Sequence, residues 1–389
     1  MDTKNARILH ISKYYYPFIG GTEQVARDMV RVLIGTGVKQ KVICFNEDID
    51  YGGQKYVHNE TEKDKIDGVD IIRCGYFLKV SSQAISSTYG QELKKLMDEF
   101  NPDIVILHYP NPFVTHYLLK YKDRDFRLLI YWHLDITKQK VLKHLFHKQN
   151  LVLIHRADRI LGATPKHIEE SAFTPVFGDK KYILPYMIDE SNLVMNNAEI
   201  EAGKRIKEKY VGKILGFFIG RHVPYKGLTY LIKASKELGN ENIQFLIAGS
   251  GELTQSLKEE AKEDTKIEFL GRITDSEKRS YLYASDIVCF PSITRNEGFG
   301  LALAEGMYFG HPAVTFTIPS SGVNYVNLDG VTGIECPNCD YKAYASALKS
   351  LVKDEKLKQQ YGEAARQRIL DNFTSESFKR NMIRLIEGL

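Results

Sequence analysis

The sequence predicts an α/β protein built as two doubly wound domains. Short β-branched or aliphatic runs alternate with segments of helical period along almost the whole chain, the pattern of parallel sheets covered on both faces. The alternation breaks once, near residue 192, and then resumes. A length of 389 residues also exceeds what one core usually organises, because chains beyond about 250–300 residues split into domains.

In the first half the strand-like runs are "RILHIS" (7–12), "KVICF" (41–45), "VDIIRC" (69–74), "DIVILH" (103–108), "LLIYWH" (128–133) and "RILGA" (159–163). The segment "YILPYMIDESNLVMNNAE" (182–199) interrupts the rhythm with a proline, an acidic-polar cluster and an Asn pair, so the boundary is expected at 192. The rhythm returns with "KILGFFIG" (213–220), "IQFLIAG" (243–249), "IEFLG" (267–271), "DIVCF" (286–290) and "AVTFT" (313–317). This gives domains 1–192 and 193–370, followed by a terminal segment 371–389. That segment reads as a helix capped by Thr374, with Phe378, Met382 and Ile386 on one face, and the first domain is its expected partner.

Composition narrows the function classes. With 43% hydrophobic and 26% charged residues the chain is globular, and its longest apolar runs fall far short of the roughly 20 residues of a membrane-spanning helix. The N-terminus runs directly into a strand without a leader pattern, and Cys44, Cys74 and Cys289 lie in apolar runs, so a reducing, cytoplasmic location is expected. A net charge of +4 does not imply nucleic acid. The basic residues are uneven, however: residues 138–156 carry Lys138, Lys140, Lys143, Lys148 and Arg156 with no acid, and this stretch reads either as a solvated helix face or as a surface for anionic lipid or a phosphorylated acceptor, the latter a peripheral contact at the inner face of the plasma membrane. No metal site is expected. "CPNC" (336–339) has no second pair to complete four ligands, and the Asp-x-Asp of "DID" (48–50) sits in ordinary turn material.

Ligands of doubly wound sheets bind beyond the carboxyl ends of the strands, so residues that follow strands matter most. After the first strand, Gly20 and Gly21 allow close backbone approach, and Thr22 is a candidate cap for the helix that follows. "GRHVPYKG" (220–227) places Arg221 and Lys226, with no neighbouring acid in the sequence, where a polyphosphate would lie. "AGSGEL" (248–253) brings the bare backbone of Gly251 to the same rim. "RNEGFGLALAEG" (295–306) sets Glu297 before a glycine-flanked helix entrance and Glu305 inside the helix. The amides of Gly298, Phe299, Gly300 and Leu301 then form an expected seat for a diphosphate. Eight residues of helix rise about 12 Å, a span comparable to a nucleoside-diphosphate sugar.

"GGTE", "GRHVPYKG", "GSGE" and "NEGFGLALAEGMYFGHPAV" occur in an order and spacing that resembles the retaining GT-B glycosyltransferases of the group 1, family four type. That family includes bacterial enzymes of surface-polysaccharide synthesis. The later "TIPSSGVNYVNLDGVTGI" (317–334) is similar to members acting on O-antigen or capsule repeats. The resemblance implies two Rossmann-like domains facing each other across a cleft, the first for acceptor and the second for donor. It implies metal-independent transfer of a hexose or N-acetylhexosamine from a UDP- or GDP-sugar to a lipid-linked saccharide, without a cofactor. By the same resemblance Arg221 and Lys226 hold the diphosphate, Glu297 the sugar and Glu305 the ribose, while the backbone at Arg272 and Ile273 packs on the base. His133 of "YWHLD" resembles the histidine placed near the anomeric carbon, with His108 as its rival. The chain departs from the family pattern at "PYMID" (185–189) and at "GVKQKV" (37–42). A sugar-nucleotide-binding protein without turnover and a nicotinamide oxidoreductase are the alternatives; the latter lacks a glycine fingerprint with its ribose-binding acid.

Overall fold

The computed structural model describes residues 4–18, 20–80, 83–133, 135 and 140–389, with the side chains of 140–145 outside the description. The chain divides into two compact units, Met1–Tyr186 with Phe378–Leu389, and Met187–Ser377. The join expected at 192 therefore falls at Tyr186–Met187. Met187 and Ile188 are buried, and the Ile188 N–H donates to the Phe373 carbonyl at 2.8 Å, so this stretch condenses with the second unit.

The first unit contains β1 (Arg7–Ile11), β2 (Lys39–Phe45), β3 (Ile49–Tyr51), β4 (Gln54–Tyr56), β5 (Glu62–Ile66), β6 (Val69–Cys74), β7 (Leu78–Val80), β8 (Gln83–Ile85), β9 (Ile104–Tyr109), β10 (Arg127–Trp132), β11 (Arg159–Gly162) and β12 (Lys181–Ile183). Eight of these form one sheet in the order β12-β11-β10-β9-β1-β2-β6-β5, while β3-β4 and β7-β8 are separate hairpins. All pairings in the large sheet are parallel except β5 with β6, where the Asp67-Gly68 turn, both residues at positive φ, reverses the chain. The highly charged β5, "EKDKI", closes that edge against further pairing. Chain order reverses between β1 and β9, so the switch point of this sheet lies there. Aliphatic residues of β1, β9 and β10 are completely buried, and Tyr109 stacks on Trp132 with centroids 3.8 Å apart.

The terminal helix, Ser375–Glu387, begins where Thr374 Oγ1 accepts the Ser377 N–H at 3.2 Å. Phe378, Met382 and Ile386 are buried, and the Tyr182 hydroxyl donates to the Asn381 carbonyl at 3.4 Å.

The second unit contains β13 (Ile214–Ile219), β14 (Ile243–Ala248), β15 (Ile267–Gly271), β16 (Ile287–Phe290), β17 (Ala313–Phe316) and β18 (Gly333–Cys336). They form one wholly parallel sheet, ordered β15-β14-β13-β16-β17-β18, with its switch point between β13 and β16. Phe218, Phe245, Phe290 and Phe316 fill its core.

Candidate active site

Two loops in the second unit leave neighbouring strands at the switch point and are laced together. The loop after β13 ends at Gly227, in the left-handed region at φ 64°, where an added Cβ would stand 2.0 Å from the Pro291 carbonyl oxygen beyond β16. The Ile293 N–H donates to the Tyr225 carbonyl at 2.9 Å. This close approach brings Lys226 to Glu297. The Lys226 ammonium donates to Glu297 Oε2, and the Ser292 hydroxyl donates to the same oxygen at 3.0 Å. Both charged side chains are about nine-tenths buried, with relative exposures of 10% and 11%. The sequence suggested that Lys226 has no acid beside it; the fold supplies one from 71 residues away.

Glu297 is held from behind as well. Its carbonyl accepts from the Ser321 hydroxyl, and the Gly298 carbonyl accepts from the Gly322 N–H at 2.8 Å. Phe299 is buried edge-on against Phe373, centroids 5.5 Å apart. Gly300, at φ 87°, then turns the chain into the helix Leu301–Tyr308. The first hydrogen bond of that helix runs from Ala304 N–H to the Gly300 carbonyl at 3.0 Å. The amides of Leu301, Ala302 and Leu303 precede that ladder and carry the positive end of the helix dipole.

Glu297 itself lies outside the helix, so the expected 12 Å helical rise between it and Glu305 does not apply. Glu305 sits one turn inside and accepts from Lys278 Nζ at 3.0 Å. Lys278 comes from the helix Asp275–Ala284, which follows Arg272 and Ile273. Arg221 is exposed and donates only a long 3.4 Å bond to the Tyr225 hydroxyl. Among the described residues no carboxylate forms an ion pair with it. Arg272 Nε donates to Ser250 Oγ at 2.8 Å, and Gly251 leaves no room for a Cβ, which would lie 2.4 Å from the His222 carbonyl oxygen. Thr254 Oγ1 accepts the Gly251 N–H at 2.8 Å and lies 3.0 Å from His222 Nδ1, so the buried His222 ties these two loops together.

In the first unit, Gly20 caps the helix Gly21–Val32 with extended backbone, and Glu23 fills the space a Cβ on Gly20 would need, with Oε2 2.2 Å from that position. Thr22, a candidate cap by sequence, is already inside the helix and donates to Glu23 Oε2 at 2.8 Å. Across the switch point, His108 closes toward the end of β9 and His133 follows β10. These rivals for one role are hydrogen-bonded partners: His108 Nδ1 lies 3.0 Å from His133 Nε2, and His133 Nδ1 lies 2.7 Å from the Tyr186 hydroxyl. Burial, with a smaller contribution from His167, pushes His133 down to about 3, and burial holds His108 well below the ordinary range. Both imidazoles are neutral at physiological pH. Asp135 fixes the chain just beyond, accepting from Trp132 Nε1 at 2.7 Å, Ser171 Oγ at 2.8 Å and the Ala172 N–H at 2.8 Å.

Of the basic window 138–156, Lys138 lies outside the described residues, as do the side chains of Lys140 and Lys143. Lys148 is exposed, but Arg156 is committed to the carbonyls of Lys122, Arg124 and Phe126. Asp48 of "DID" accepts from the His58 backbone at 2.9 Å, and among the described residues no group of three or more His, Cys, Asp or Glu could hold a metal ion. A cavity of about 430 Å³ beside Glu199, Arg205, Lys209 and Tyr281 includes none of the residues singled out by sequence. Sequence reasoning missed Ser292, Ser321, Lys278, Tyr186 and His222; only the "PS" after β16 offered a local signal.

Comparison with known proteins supplies the remaining context. The model of glycosyl transferases group 1 matches residues 199–368, and that of glycosyltransferase family 4 matches residues 19–189. The chain is 26% identical to O-antigen chain mannosyltransferase C of Escherichia coli, over 95% of each chain. It is 27% identical to the D-rhamnosyltransferase WbpZ of Pseudomonas aeruginosa, covering 95% of this chain and 92% of that one. Among solved structures, HepE of Anabaena in complex with UDP superposes with a TM-score of 0.72 at 14% identity, over 98% of this chain and all of that one, a likeness of fold.

Proposed function

This chain belongs to the GT-B glycosyltransferases of the group 1 and family 4 type, and we propose that it transfers a hexose or N-acetylhexosamine from a nucleoside-diphosphate sugar to a lipid-linked saccharide, with retention of configuration. The O-antigen chain mannosyltransferase and the D-rhamnosyltransferase, similar along nearly the whole chain, support a role in surface-polysaccharide synthesis.

One observation carries the reading: the buried Lys226–Glu297–Ser292 cluster beside the entrance of the helix Leu301–Tyr308. As the glycosidic bond lengthens, negative charge grows on the departing diphosphate. Arg221, Lys226 and the amides of Leu301–Leu303 are preorganised donors for that charge, in place of a divalent ion. Glu297, steered by Lys226 and Ser292, offers its other oxygen to sugar hydroxyls. Its other oxygen, given to sugar hydroxyls in this reading, makes Glu297 a binding group rather than a nucleophile. In the reading proposed, the acceptor hydroxyl enters on the face the diphosphate leaves and gives its proton to a phosphate oxygen. Glu305, with Lys278, takes the ribose, and the Arg272–Ile273 backbone takes the base.

The direct experiment is transfer from a panel of UDP-, GDP- and ADP-sugars to a lipid-linked saccharide, with product stereochemistry read by NMR. Inversion at the anomeric carbon, or hydride transfer to a nicotinamide, overturns the proposal.

A further inference from the structure

The segment "PYMID" departs from the family pattern, and one of its residues reaches the candidate active site: the Tyr186 hydroxyl lies 2.7 Å from His133 Nδ1. We propose that Tyr186 and His108 are positioning residues that clamp the His133 imidazole from both sides, fixing its orientation and tautomer. The proposal rests on the reading of His133 as a group near the reacting centre, and its test separates the two.

The geometry is that of a closed line. His133 Nε2 lies 3.0 Å from His108 Nδ1, and the two rings are within 13° of parallel. Tyr131 lies alongside both, 5.9 Å from the His108 ring and 4.5 Å from the His133 ring, and its own hydroxyl is held by the Leu184 carbonyl. With both imidazoles neutral, each carries one ring proton, which leaves two ordered arrangements. In one, Tyr186 donates to His133 Nδ1, His133 Nε2–H donates to His108 Nδ1, and the His108 proton sits on Nε2. In the other every donor and acceptor is exchanged. His133 cannot change tautomer unless His108 changes with it.

The far end of the line is also defined. His108 Nε2 is buried without a partner, as are Ser12 Oγ and His10 Nδ1. Strand alternation and the His10–Ile106 register put His10, Ser12 and His108 on one face of the sheet. His10 has its tautomer set already: Gln40 donates to the Val30 carbonyl at 3.0 Å, so its oxygen faces His10 Nε2 at 3.0 Å and requires a proton there. The far end of the line, His108 Nε2, is thus buried on the sheet face that also carries His10 and Ser12.

A ring satisfied at both nitrogens cannot take the acceptor proton without breaking a bond. His133 instead presents a fixed dipole and ring edge, and the clamp determines where that edge points. Tyr186→Phe removes one oxygen; we expect kcat to fall about 5- to 10-fold, the worth of one net hydrogen bond, with donor KM unchanged. The His133 imidazole ¹⁵N resonances should move toward a mixture of tautomers. His108→Leu should do the same and His108→Gln, which keeps a polar partner, should restore part of the rate. If His108→Leu does not fold, Tyr186→Phe and His108→Gln carry the comparison. Wild-type kcat with unchanged ¹⁵N shifts in Tyr186→Phe overturns the clamp. Absence of transfer by the unmodified enzyme with every donor overturns the proposed function instead, and the ¹⁵N shifts then decide the clamp alone.

Discussion

Lys226 and Glu297 stand 71 residues apart in sequence and form a buried ion pair at the switch point of the second sheet. Removing either charge leaves the other uncompensated in a site that excludes water, so stability and chemistry are coupled there. Breaking a buried pair by one partner typically costs about 3–5 kcal/mol. Lys226→Ala should lower the melting temperature more than the double variant Lys226→Met, Glu297→Leu, which removes both charges. Equal melting temperatures would mean the pair is not desolvated.

For turnover, the loss of one preorganised donor to the departing diphosphate costs about 2.7–4 kcal/mol, or 10²–10³ in rate. Arg221→Ala is the cleaner probe because its side chain is exposed and carries no ion pair among the described residues, so kcat should fall by that order while the melting temperature stays constant. Near-wild-type turnover would remove Arg221 from the mechanism.

Donor binding should survive chelation. Saturating nucleotide stabilises the native form by about 2.7 kcal/mol at a hundredfold excess over Kd. The thermal shift of the preferred nucleoside-diphosphate sugar, and the transfer rate, should be unchanged by EDTA. Loss of either would show that a divalent ion is part of the site.

Acid should destabilise the protein well before its carboxylates titrate. Burial pushes His10 and His311 down to about 4 and His133 to about 3, against an ordinary value of 6.5. Their folded-state values are depressed, so the unfolded chain binds more protons as pH falls below 6.5, and stability is lost progressively toward pH 4. Each such group contributes a slope of about 1.4 kcal/mol per pH unit within that window. Urea midpoints measured from pH 7 to pH 4.5 should fall steadily, and a flat profile over that range contradicts the burial of these rings.

Gly227→Ala tests the lacing of the two loops. The left-handed conformation costs an L-residue roughly 1–2 kcal/mol, and the new methyl meets the Pro291 carbonyl oxygen 2.0 Å away. Both the melting temperature and donor affinity should drop. Gly21→Ala, at a strand-to-helix turn of the first unit with open space around the added carbon, serves as the control for melting temperature.

The strand runs and the terminal helix with its Thr374 cap were legible because period-2 and period-3.6 patterns and capping residues are local. The Asp67-Gly68 turn is equally local, but the charged "EKDKI" offers no apolar run, so the antiparallel edge strand β5 carries no strand signal of its own. Glycines at strand ends, Arg221 and both glutamates were visible as residue types in suggestive places. Their partners were not: nothing near Lys226 in the chain announces Glu297, nothing near Glu305 announces Lys278, and His108 and His133 read as competitors.

Amino-acid order alone determined that this protein has two sheets that are parallel but for one edge strand, and which side chains leave the ends of their strands, because backbone periodicity needs only neighbouring residues. Tertiary structure decided what those side chains meet. Strand order brings β13 beside β16 and β9 beside β10, and only that lateral assembly, with the burial it imposes, turns separate cations, carboxylates and imidazoles into an ion pair and a hydrogen-bonded line.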